Sequence, residues 1–77
     1  MNEENTLLLF GKHIKSIRLQ QNISQERLAS LSELDRTYIS GIERGKRNIS
    51  LLNIVRLAYS LQITPAELLS FSLEENP

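Results

Sequence analysis

Arg36, Thr37, Ser40 and Arg44 are the residues whose types and spacing suit a chemistry, and that chemistry is hydrogen bonding to a ligand. At about 100° per residue, Ile39 and Ile42 set the inward direction of a helix through DRTYISGIERG. Thr37, Ser40, Gly41 and Arg44 then point away from it, with Arg36 between. The outward stripe is polar, narrow and free of acids. It would fit a DNA major groove, where Arg36 can donate two bonds to guanine O6 and N7 while Thr37 and Ser40 bond base edges or phosphates. A solvated helix face is the alternative. Catalysis has no support: there is no Ser/His/Asp or Cys/His set and no glycine-rich phosphate loop, and the acids stand singly or in terminal pairs. With no cysteine and His13 the single histidine, neither a metal nor a cofactor is expected.

Such a stripe must be held by other elements, and the apolar residues recur at helical spacing with no clean alternation of period two. Five short helices are expected. The first runs from about Thr6 to Gln20 with Phe10, Ile14 and Ile17 inward, and Asn22 ends it. Ser24 caps a second from Gln25 to about Leu31. Asp35 caps a third from Arg36 to Arg44, with Leu34 and Ile39 placed for a hydrophobic staple and Gly45 as the terminating glycine. Ser50 caps a fourth from Leu51 to Leu61. Thr64, Pro65 and Glu67 form a capping box with proline at the first position of a fifth. The fold class is therefore all-α, a five-helix bundle in one domain with a core over about 6–71 and frayed ends. The second and third helices, joined by a short turn with small Ala29 at their crossing, have the plan of a helix-turn-helix.

A chain of 77 residues excludes a two-domain enzyme with an interdomain cleft. A fold this small removes only about 60% of its unfolded-chain surface from water, and without disulfides or metal a partner subunit is the remaining source of stability. Lack of cysteine, of a signal peptide and of a long apolar run points to a soluble cytoplasmic protein. Net charge is zero, yet between Lys12 and Arg47 eight cations stand against four acids, and the rest carries one cation against five acids. A basic middle between acidic ends would steer a polyanion.

The segment SQERLASLSELDRTYISGIERG resembles the Xre-type helix-turn-helix family of phage repressors, and DRTYISGIERGKRNISL is most similar to the controller proteins of restriction-modification systems. The resemblance spans roughly Phe10 to Leu69 and implies the five-helix fold and binding to double-stranded DNA. It departs at Glu33, where the family usually has glycine; a positive φ there would cost about 1 kcal/mol. By resemblance, Ser24 and Gln25 at the start of the second helix are DNA-backbone contacts, and Arg36 and Thr37 match the base-reading positions. Tyr38 is similar to a tyrosine that approaches DNA, a half-buried core aromatic being the alternative. Arg44, Lys46, Arg47 and Asn48 follow in a turn suited to phosphates, with Arg47 in reach of a base. Arg18 and Glu43 match a structural ion pair between the first and third helices.

The fourth helix is apolar over more than half its wheel, more than a one-sided helix needs. The fifth is expected to cover part of the excess and to leave a patch at Ile63, Leu68, Phe71 and Leu73 for a second subunit. A two-fold dimer would set two recognition helices about 34 Å apart and imply a roughly palindromic operator. The controller resemblance implies activation of its own and an endonuclease promoter at low occupancy, and repression when a second dimer blocks RNA polymerase. A phage-type repressor, an antitoxin and a protein-interaction module that does not bind DNA are the alternatives.

Overall fold

A computed structural model describes residues 1–73. It is all-helical among the described residues, in the order α1 Glu3–Gln20, α2 Gln25–Ser32, α3 Arg36–Glu43, α4 Leu51–Ser60 and α5 Pro65–Leu68. No helix among them is long and apolar enough to cross a membrane. Residues 74–77, on which most of the expected C-terminal fraying falls, lie outside the described residues.

Each helix begins where a side chain accepts a backbone N–H that the first turn would leave unpaired. Ser24 accepts from Arg27, Asp35 from Thr37, Ser50 from Asn53, and Thr64 and Glu67 exchange the reciprocal bonds of a capping box. Several boundaries differ from those expected, those at the ends of α2 and α4 by one residue. α1 starts at Glu3, before the expected Thr6, because Asn2 accepts from Asn5, and Glu3 and Glu4 sit at the positive end of the helix dipole. α3 ends at Glu43, before Arg44. α5 is one turn that stops at Leu68, so Phe71 and Leu73 lie beyond it.

Phe10, Ile14, Leu28, Ala29, Ile39, Ile42, Leu57, Ala58, Leu61 and Leu68 form the buried core, with Leu34, Tyr38, Ile63 and Phe71 packed on its margin. The turn between α2 and α3 is made by Glu33 at φ 58°, ψ 38°, so the position does adopt a left-handed conformation. Its cost of about 1 kcal/mol is borne by a non-glycine residue, and the N–H of Leu34 still closes the helix end on the carbonyl of Ala29 at 3.0 Å.

α1 packs on α3 through backbone as well as side chains. A β-carbon on Gly11 would overlap the carbonyl oxygen of Ile42 and lie 2.8 Å from that of Glu43. Alanine's better helix propensity, about 0.5–1 kcal/mol, does not offset that overlap. Gly11→Ala should lower the unfolding free energy by about 2 kcal/mol; a urea melt with an unchanged midpoint would mean that α1 and α3 are not in backbone contact.

Candidate nucleic-acid interface

α3 turns Ile39 and Ile42 into the core and leaves Arg36, Thr37 and Arg44 exposed, with Ser40 half-buried. Gly41 departs from the wheel: it is buried, because the stem of Arg47 lies across it. A β-carbon on Gly41 would meet Arg47 Cγ at 2.9 Å. From there the Arg47 guanidinium lies over the Tyr38 ring, 5.4 Å from the centroid, a cation–π geometry. The Tyr38 hydroxyl accepts a hydrogen bond from the Asn53 side chain at 3.1 Å. Tyr38 is thus both a core-margin aromatic and the platform that brings Arg47 back onto the face of α3.

Arg36 is held loosely. Its Nη1 donates to Gln25 Oε1 at 3.4 Å, and its Nε lies 3.8 Å from Glu26 Oε2. With the Arg36 and Glu26 side chains 51% and 70% exposed, that ion pair contributes little and leaves the guanidinium free to swing into a groove. Arg44 donates from Nε to the Ser40 carbonyl at 3.3 Å, and Lys46 stays exposed in the turn. Of the remaining expected contacts, Ser24 and Gln25 are already hydrogen-bonded within the protein. The Ser24 hydroxyl oxygen accepts the Arg27 N–H at 2.9 Å, and the Gln25 amide joins Arg36 to Glu43, donating to Glu43 Oε1 at 3.0 Å. Asn48 is exposed in a shallow cleft with Met1, Glu3, Thr6 and Leu7 at the start of α1.

Behind this face, Arg18 and Glu43 meet as a bidentate pair, Nε to Oε2 at 2.7 Å and Nη2 to Oε1 at 3.0 Å. Arg18 Nη1 also donates to the Ile23 carbonyl at 2.9 Å, so the pair joins α1, the turn before α2, and α3. The hydrogen bond to Glu43 raises the Arg18 pKa above its ordinary value, against the desolvation of burial and with help from the charges of Glu43 and Glu26. No buried side-chain polar atom among the described residues lacks a partner. Glu43 therefore faces away from any DNA bound on α3, where a carboxylate would be repelled.

The helix-turn-helix family model matches residues 14–68. The chain is 51% identical over 69 residues to the control protein C.BamHI of Bacillus amyloliquefaciens, covering 88% of this chain and 85% of that protein. It is 52% identical to the crystal structure of the restriction-modification controller protein C.AhdI from Aeromonas hydrophila, covering 80% of this chain and 94% of that one with a TM-score of 0.80. The chain belongs to the helix-turn-helix controller proteins. The controller protein C.Esp1396I, solved as a tetramer in complex with its natural 35 base-pair operator, is 39% identical, with 83% and 84% of the two chains covered and a TM-score of 0.77.

Within this controller-protein fold, the apolar surface expected at Ile63, Leu68, Phe71 and Leu73 is mostly closed. Leu68 is 0% exposed and belongs to the core, because the single turn of α5 points it inward. Ile63 is half-buried on the core margin, and Phe71 packs on Phe10 with ring centroids 5.6 Å apart and beside His13. Only Leu73 of the four stays exposed. The open apolar surface lies instead on α4, where Leu51, Leu52, Val55 and Tyr59 are 71%, 75%, 43% and 86% exposed. At about 100° per residue the four share a stripe about 100° wide. Leu31 and Tyr59 line one cleft, which extends that surface onto α2.

Sequence reasoning missed Asn53 and the packing role of Gly41. Asn53 carried a signal, being a polar residue among the apolar positions of α4. Gly41 carried none, since helical periodicity does not report a segment that folds back over a helix.

Proposed function

We propose that this controller protein is a dimeric, sequence-specific DNA-binding regulator that acts in the cytoplasm by binding and not by catalysis, through one helix-turn-helix domain. The observation that carries the reading is the acid-free outer face of α3, with Arg36 loosely tethered at one end and Arg47 laid across Gly41 and Tyr38. Arg36, Arg47, Thr37, Tyr38 and Ser40 read bases; Arg44 and Lys46, with lesser contributions from Ser24, Gln25 and Asn48, meet the backbone. Two dimers on adjacent operators would switch the protein from activator to repressor of its own and the endonuclease promoter, in keeping with the tetramer on operator DNA reported for C.Esp1396I. Selection from a random duplex library should enrich a roughly palindromic site with half-site centres about one helical turn apart. If no sequence is enriched and the weak binding vanishes at physiological salt, the reading fails and a protein-interaction module takes its place.

The exposed stripe of α4 is the dimer surface in this reading, since apolar area of that kind on a small domain marks an association site. Sedimentation should give about twice 8.8 kDa at micromolar concentration. Val55→Glu should raise the dimer dissociation constant at least about tenfold and weaken operator binding along with it. The same charge at Leu73 should do much less, and a reversed order would return the interface to the C-terminal segment.

A further inference from the structure

α4 carries three polar side chains, and they are placed differently. Arg56 is exposed, Ser60 hydrogen-bonds the Arg56 carbonyl of its own helix at 2.8 Å, and Asn53 is half-buried and donates to Tyr38 on α3. The bond reaches the far end of a ring whose face carries Arg47. The hydroxyl oxygen lies on the long axis of the ring, so an anchor there leaves rotation about that axis to the surrounding packing. It restrains instead the swing of the half-buried ring about its first side-chain torsion, and with it the position of the ring face. With Asn53 donating, the Tyr38 hydroxyl keeps its own hydrogen for a second acceptor. We propose that Asn53 is a positioning residue for DNA reading: by anchoring the Tyr38 hydroxyl it fixes the platform that aims Arg47, so that a side chain of α4 tunes the sequence discrimination of α3. The proposal rests on the DNA-reading function argued above.

The test uses the intact dimer, the duplex that the wild-type protein selects from a random library, and a mixed-sequence duplex of equal length. Asn53→Ala should weaken binding to the selected duplex about three- to tenfold per half-site, the worth of one neutral hydrogen bond. Binding to the mixed duplex should not change. Tyr38→Phe should lose a similar factor, and the double variant no more than either alone. In the free dimer, the Arg47 side-chain proton signals, displaced upfield by the Tyr38 ring, should move toward their unstructured positions in Asn53→Ala. Equal losses on both duplexes, or a full Asn53→Ala loss on top of Tyr38→Phe, would overturn the proposal. Should Asn53→Ala unfold at the assay temperature, Asn53→Ser is read by the same criteria. A wild-type protein that selects no duplex defeats the regulator reading and this proposal together. A wild-type protein that selects one, with Asn53→Ala keeping the same preference, defeats this proposal alone.

Discussion

Arg18→Ala and Glu43→Ala should each lower the unfolding free energy by about 3–5 kcal/mol, because either leaves a charge unpaired in a place built for two. Arg18 is 6% and Glu43 7% exposed, so water cannot replace the lost partner without opening the contact between α1 and α3. The Glu43 carboxylate would keep only the Gln25 amide, and the Ile23 carbonyl would lose its donor as well. A domain of this size has a total stability on the order of 4–12 kcal/mol, so either change takes a large share of it. The melting temperature should fall by about 12–24 °C or more. Loss of both partners should cost clearly less than the sum, and Arg18→Met with Glu43→Leu should recover much of the stability, since the pair can be replaced by apolar volume. Additive single losses in a urea-unfolding cycle would show that the two side chains do not interact.

The same contacts explain what the sequence made legible. The helix starts at Gln25, Arg36, Leu51 and Pro65 were readable because each is set by one side chain bonding a backbone group two or three residues away. The start of α1 was missed because apolar periodicity begins only after its polar first turn, although Asn2, Glu3 and Glu4 held the capping signal. The approach of Gly11 to the α3 carbonyls joins two backbones, and no side-chain pattern encodes it. The burial of most of the expected apolar patch has a tertiary cause. The wheel of α4 reports an excess of apolar residues but not which side α5 covers, and that depends on a single turn inserting Leu68 and leaving Leu52, Val55 and Tyr59 open. In the interface, the outward direction of Arg36 and Thr37 followed from helical period, whereas the return of Arg47 over Gly41 depends on the turn at Gly45, whose φ is 73°.

Arg36→Ala should weaken binding to the selected operator by about 1–3 kcal/mol per half-site and barely change binding to random DNA, because a bidentate arginine discriminates bases while phosphate contacts do not. Counted over both subunits of a dimer the loss is about 30-fold to 10⁴-fold, the largest effect expected of any surface residue here. The weak tether to Gln25 and Glu26 offsets little of it, since both contacts are long and exposed. Arg47→Ala should behave like Arg36→Ala and not like a phosphate contact, because its stem is fixed on Gly41 and its head on Tyr38, on the reading side of α3. Lys46→Ala supplies the contrast. An exposed cation in the turn should lose affinity equally for operator and random DNA, and the slope of log K against log salt should fall by about one for each phosphate contact removed. Titrations of the three variants at several salt concentrations separate these behaviours. If Arg47→Ala changes the salt slope as Lys46→Ala does and leaves the preference among sequences intact, then the Tyr38 platform serves the backbone, and Arg36 carries the base reading without it.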